Sequence, residues 1–149
     1  MASVTLDSNI LIYCVDSGDE RQQAANAIVA GLAQSGGVLT LQALAEFFHA
    51  ARRKRKMPAA DAAAQVRRWL TAFGTPAVAS ASCLDAALAA ALAGRFQFWD
   101  AMLLATAGAA GCTGIISEDM AHGARLGAVT VVRAFDGAAV SPEAAALLA

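Results

Sequence analysis

The chain has 149 residues, a length that fits one domain and buries a core without disulfide or metal staples. Hydrophobic residues make up 58%, much of it alanine, and charged residues only 15%, so helical layers with some uncovered apolar surface are expected, a surface suited to a dimer or a bound partner. A formal net charge of −1 excludes nucleic-acid binding by bulk charge, so any such site must be a local patch.

Ser3 to Leu6 reads as a short buried strand that ends at Asp7, with Ser8 as the cap of a helix through Ile10, Leu11 and Ile12. Gly18 and Asp19 break that helix, and a second runs from Glu20 to Gln34 before Gly36 and Gly37. Val38 to Leu41 reads as a second short strand. Leu41, Leu44, Phe48 and Ala51 then recur at helical spacing, and the basic run Arg52, Arg53, Lys54, Arg55, Lys56 closes this helix ahead of Pro58. Ala59 to Phe73 is another helix, closed by Gly74 and Pro76, followed by a weak strand at Ala77 to Ala79 and a helix from Leu84 to Leu92. Trp99, Met102, Leu103, Thr106, Ala107 and Ala110 form one helical face that runs into Gly111. Gly114 to Ser117 and Val129 to Arg133 read as strands, and Pro142 to Leu148 as a last helix. Short strands alternating with helices predict an α/β domain whose parallel sheet is covered on both faces.

The three cysteines, Cys14, Cys83 and Cys112, are far apart and never at metal spacing, so they read as small core residues in a reducing cytosol. No signal peptide is expected, because Met1 leads almost at once into Val4-Thr5-Leu6. The uncharged stretch from Ala101 to Ser117 is short for a membrane span and holds several glycines.

Most of the acidic residues stand where solvated acids usually do, in turns and near helix starts. Four stand instead among apolar neighbours: Asp7 after Val-Thr-Leu, Glu46 alone between Val38 and Ala51, Asp100 after Phe-Gln-Phe-Trp, and Asp119 just past Gly-Ile-Ile-Ser. A bare carboxylate in such surroundings is costly unless something compensates it. Each has an ordinary reading: helix capping for Asp7 and Asp100, an ion pair with Arg53 or a distant arginine for Glu46, a turn for Asp119. Taken together they favour one site, because open parallel sheets bind ligands beyond the carboxyl ends of their strands, and all four can reach that edge. Four carboxylates in one pocket repel each other, and a divalent cation relieves this. Oxygen-only ligands select Mg²⁺ or Mn²⁺ over zinc, and such sites carry out phosphoryl chemistry with metal-activated water.

The run from Arg52 to Lys56 follows Glu46 by about two helical turns, roughly 10 Å along the axis, where a phosphate backbone could lie. A solvated helix end with cations favoured by the dipole explains it equally well. Arg67 and Arg68 extend the patch if the next helix packs antiparallel. His49 and His122 carry no assigned role, and Trp69 and Trp99 read as core or interface residues.

Leu6-Asp7-Ser8-Asn9-Ile10-Leu11-Ile12-Tyr13, Leu44-Ala45-Glu46-Phe47, Asp100-Ala101-Met102-Leu103-Leu104-Ala105-Thr106-Ala107 and Ile116-Ser117-Glu118-Asp119-Met120 with Gly123 resemble, in order and spacing, PIN-domain ribonucleases, specifically the VapC-type toxins of bacterial toxin–antitoxin pairs. The resemblance covers nearly the whole chain. It implies a single PIN-like nuclease domain over 1–149, a three-layer α/β/α sandwich around a parallel sheet. Asp7, Glu46, Asp100 and Asp119 match the family's acidic quartet and would bind one or two Mg²⁺ or Mn²⁺ ions, with Asn9 and Ser117 as supporting polar positions. Glu118 adjoins Asp119 and either can face the metal; the family's Ser-x-Asp form favours Asp119. The implied activity is endonucleolytic RNA cleavage in the cytoplasm. The implied partners are a small antitoxin whose tail covers the active-site groove and a second copy in a homodimer.

Other readings are weaker. A receiver-like phosphotransfer domain needs a lysine late in the chain, and Lys54 and Lys56 both lie in the middle. A metal-dependent phosphatase of the haloacid-dehalogenase type wants a second Asp two residues after the first, where Asn9 stands. A non-catalytic PIN-like module that binds RNA or protein without cutting is disfavoured by the intact acids.

Overall fold

A computed structural model of the chain describes residues 3–54 and 56–149. Strand β1 (Ser3–Leu6) pairs in parallel with β2 (Cys112–Ser117), which pairs in parallel with β4 (Val129–Arg133). The short β3 (Arg125–Leu126) adds to β4 antiparallel, giving the order β1-β2-β4-β3. The expected parallel sheet is therefore present, with one antiparallel edge. A separate two-residue hairpin, β5 (Phe135–Asp136) and β6 (Ala139–Val140), follows β4.

Both faces of the sheet are covered, so β1 and β2 are buried along most of their length, Thr5 and Ser117 included. Val4, Leu6 and Ile116 pack with Ile10, Leu11, Ile28, Leu32 and Ala144 from helices α1 (Ser8–Cys14), α2 (Gln22–Gln34) and α7 (Pro142–Leu148). Ile115, Val129 and Val131 pack on the other side with Leu103, Leu104 and Ala107 of α6 (Phe98–Ala109). Each such fully buried aliphatic side chain contributes roughly 1.5–3 kcal/mol. Helix α5 (Ala81–Leu92) lies against α6, while α3 (Leu41–Lys54) packs on α1 and carries α4 (Ala59–Phe73) on its outer side. Phe47 of α3 and Trp69 of α4 meet edge to face at 4.7 Å, so Trp69 is a core residue as expected.

The predicted strands at Val38–Leu41 and Ala77–Ala79 do not form as such. One parallel bridge, Thr40 with Ala77, is all that remains of them. The reason is local: the Thr40 hydroxyl accepts from the Ala43 amide at 3.0 Å, so the chain turns into α3 as soon as it has passed β1. The approach is also tight. Val38 donates to the Val4 carbonyl at 3.1 Å, and a Cβ on Gly37 would lie 2.8 Å from that same oxygen.

One other expectation needs correction. The cap of α1 is Asp7 rather than Ser8, because an Asp7 carboxylate oxygen takes the Ser8 amide. Trp99, expected in the core or at an interface, is 59% exposed, since α6 turns Ala101, Leu104 and Ala107 inward and leaves it on the outside of its first turn. The three cysteines are free and buried, as their spacing suggested. Among the described residues, no helix is long and apolar enough to cross a membrane.

Candidate active site

The carboxyl ends of β1 and β2 define one edge of the sheet. Asp7 follows β1 and is only 7% exposed. Its two oxygens are held separately: Oδ1 accepts from the Ser8 amide at 2.7 Å and Oδ2 from the Ser117 hydroxyl at 2.9 Å. Ser117 ends β2, so this second bond ties the two strand ends together. Its hydroxyl also accepts from the Met120 amide at 3.3 Å, which fixes the bend that carries Asp119.

Glu46 comes from the second turn of α3 and Asp100 from the first turn of α6. Gln42, one turn before Glu46, bridges these helices. Its amide donates to the Trp99 carbonyl at 3.0 Å and lies 3.5 Å from Glu46 Oε1. Glu46 does not pair with Arg53, which instead reaches back to His49 at 3.4 Å.

The electrostatics place the four acids in one field. Burial pushes the Asp7 carboxyl above its ordinary value; its two hydrogen bonds oppose this, and the charges of Asp100 and Asp119 add to it. Glu46 is raised by burial, then by Asp7, with a further push from Asp100. Asp100 is raised by burial and then by Asp119. Among the described residues, no ion pair engages any of the four.

The donor set fits a hard divalent cation, which takes oxygen ligands and relieves mutual repulsion. Asn9 adds to that fit, because both its side-chain polar atoms are buried without a partner, an expensive state unless something beyond the protein meets them. Among the described residues, no three acids or histidines are drawn into a closed ligand set. The arrangement is thus an open cluster of mutually repelling carboxylates.

Glu118 and Asp119 part company. The Glu118 carboxylate accepts from the Tyr13 hydroxyl at 2.7 and 2.8 Å and from Arg21 at 2.8 Å. It is committed to these partners, while Asp119 is the one whose charge reaches Asp7 and Asp100.

Arg52, Arg53, Lys54 and Lys56 are exposed around the end of α3, and Arg67 and Arg68 are exposed on α4; Arg55 lies outside the described residues. His122 accepts the Arg133 amide on Nδ1 at 3.0 Å, a structural role. Between α3 and α6, a largely apolar groove of about 550 Å³ opens beside Glu46, lined among others by Leu41, His49, Val78, Trp99 and Met102.

Sequence reasoning passed over Gln42, Tyr13 and Arg21. Gln42 carried a usable signal, since it stands one helical turn before an isolated acid. Arg21 carried none, sitting in a charged turn that looks solvated.

A family model for the PIN domain matches residues 4–123, from β1 through the bend that carries Asp119. No curated protein matches the chain. The layered α/β sandwich, the acids at one sheet edge and the match over most of the sequence agree, and the chain belongs to the PIN-domain family, whose members are in general nucleases that use divalent metals.

Proposed function

We propose that residues 1–149 work as one nuclease domain, a Mg²⁺- or Mn²⁺-dependent endoribonuclease whose ligands are Asp7, Glu46, Asp100 and Asp119. The observation that supports this best is their gathering at the carboxyl edge of the sheet, where their charges raise one another's pKa and, among the described residues, no ion pair engages any of them. When bound, the divalent ion supplies Lewis acidity toward water and phosphate oxygens. Asp7, anchored by Ser8 and Ser117, gives the site its fixed point. Glu46 and Asp100 close it from α3 and α6, with Gln42 keeping those helices in step. Asn9 offers a further buried polar side chain. Arg52, Arg53, Lys54, Arg55 and Lys56 hold the RNA backbone by phosphate charge, which positions the strand without reading its sequence.

Beyond the chemistry, we read the protein as the cytoplasmic toxin of a toxin–antitoxin pair of the VapC type. A small antitoxin would cover the apolar groove beside Glu46. A homodimer would bury the exposed Leu84, Leu88 and Leu92 of α5, the last of which is 89% exposed.

Cleavage of a mixed RNA pool with and without EDTA, by the parent and by Asp100→Asn, tests the catalytic reading. Chelation and the substitution are each expected to abolish cleavage while circular dichroism stays unchanged. Equal cutting by Asp100→Asn would falsify it. Replacing Arg52, Arg53 and Lys54 with glutamine is expected to weaken RNA binding and to make the slope of log affinity against log salt shallower, by about 0.7–0.9 for each phosphate no longer neutralised. A salt slope equal to the parent's excludes the patch.

A further inference from the structure

The Glu118 clamp is larger than a single hydrogen bond. Tyr13 ends on α1, Arg21 stands just before α2, and Glu118 follows β2, so three separate stretches meet there. The Arg21 guanidinium lies over the Tyr13 ring, 4.3 Å from its centre, and Phe135 meets the ring's edge at 5.4 Å. Arg21 is itself held by Asp19, with Nε and Nη2 each 3.0 Å from a carboxylate oxygen. Burial and Glu118 push the Tyr13 phenol up to about 12, so it remains a donor throughout the working pH range.

The bend from Ser117 to Met120 is thereby gripped on both sides of Asp119. On one side the Ser117 hydroxyl binds Asp7 and the Met120 amide; on the other Glu118 is drawn away toward Tyr13 and Arg21. The Asp119 side chain between them accepts no hydrogen bond among the described residues.

We propose that Tyr13 and Arg21 are positioning residues for Asp119: by holding Glu118 they aim the fourth carboxylate at Asp7 and Asp100 and keep Glu118 from competing for the cation. This rests on the metal-site reading given above. Groups that orient ligands in this way typically change metal affinity by about 10–100-fold when removed.

The test is Mn²⁺ binding by the full chain, measured by calorimetric titration without RNA. Tyr13→Phe keeps the ring, its stacking with Arg21 and its contact with Phe135, and removes only the hydroxyl. It is expected to weaken Mn²⁺ about tenfold. Asp119→Asn is expected to weaken it at least as much, and the double variant no further, because the hydroxyl acts through Asp119. Phe135→Leu loosens the same ring without touching the hydroxyl, and is expected to lower Tm while leaving Mn²⁺ affinity within about twofold, as expected where every ligand-orienting bond stays in place. If Tyr13→Phe does not fold, Glu118→Gln, which breaks the ion pair with Arg21, asks the same question. Parental Mn²⁺ affinity in the folded variant, or further weakening in the double variant, overturns the inference alone. A parent that binds no Mn²⁺ overturns the metal-site reading and the inference with it.

Discussion

At the scale of single residues, the acids cost the metal-free protein stability. Asp100 is the clearest case, because burial and the Asp119 charge both raise its pKa above 3.8 and no hydrogen bond to its side chain offsets them among the described residues. A raised carboxyl binds its proton more tightly folded than unfolded, so stability is highest below the unfolded pKa and is lost as pH rises through the folded one. Asp7 and Glu46 are raised too and act in the same direction. Asp100→Asn is therefore expected to melt a few degrees above the metal-free parent at neutral pH, with the gap closing as pH falls toward the ordinary carboxyl value. Thermal scans across that range check it, and coincident curves at neutral pH refute it. Divalent-ion affinity follows the opposite sign over the same window, rising with pH as protons leave the ligands.

The four acids were legible because a charge among apolar neighbours breaks the local pattern. Asp119 was preferred to Glu118 only through the likeness to the family's Ser-x-Asp form; the contacts that hold Glu118 aside were not legible, since Tyr13 lies 105 positions from Glu118 and Arg21 lies 97. No periodicity spans such distances. Gln42 is neutral and sits on a helix where a glutamine is unremarkable.

At the scale of elements, helix periodicity carried well. The spans Ala59–Phe73 and Pro142–Leu148 form with the bounds their sequence signals give. The strand expected at Val38–Leu41 did not, because an apolar run of this length reads alike whether it pairs as a strand or passes once beneath a neighbour. Thr40 decides the matter by capping α3. Gly37 is the tightest point of that passage, and Gly37→Ala would press a methyl group into the fully buried Leu32 side chain and against the Val4 carbonyl of β1. We expect it to cost about 1–3 kcal/mol, the usual range for overpacking. Urea unfolding measures this, and an unchanged midpoint would show that the passage has room to spare. By contrast, Gly114→Ala meets first the end of the Leu147 side chain in α7, which can rotate aside, so a smaller loss is expected there.

At the scale of the whole molecule, composition foretold both a well-filled interior and bare apolar ground outside. The low charged fraction reappears as exposed Leu84, Leu88, Leu92, Val78 and Trp99. The sandwich brings distant segments to one edge, so a ligand there links β1, α3, α6 and the bend after β2 at once. Mn²⁺ at about a hundred times its Kd should add about 2.7 kcal/mol to unfolding. At this chain length that corresponds to a rise in Tm of about 5–10 °C. Differential scanning calorimetry with Mn²⁺ and then EDTA reads it, and a melting point indifferent to both would mean that no cation favours the native state at this edge.

Asp7 stands at the start of α1 and receives its first amide, so the same carboxylate begins a helix and serves the proposed chemistry. An inactive Asp7 variant would therefore be an ambiguous witness, since a frayed helix and a missing ligand silence an enzyme alike. Asp100 stands in the first turn of α6 but, among the described residues, accepts no helix amide, which makes it the cleaner residue on which to judge catalysis.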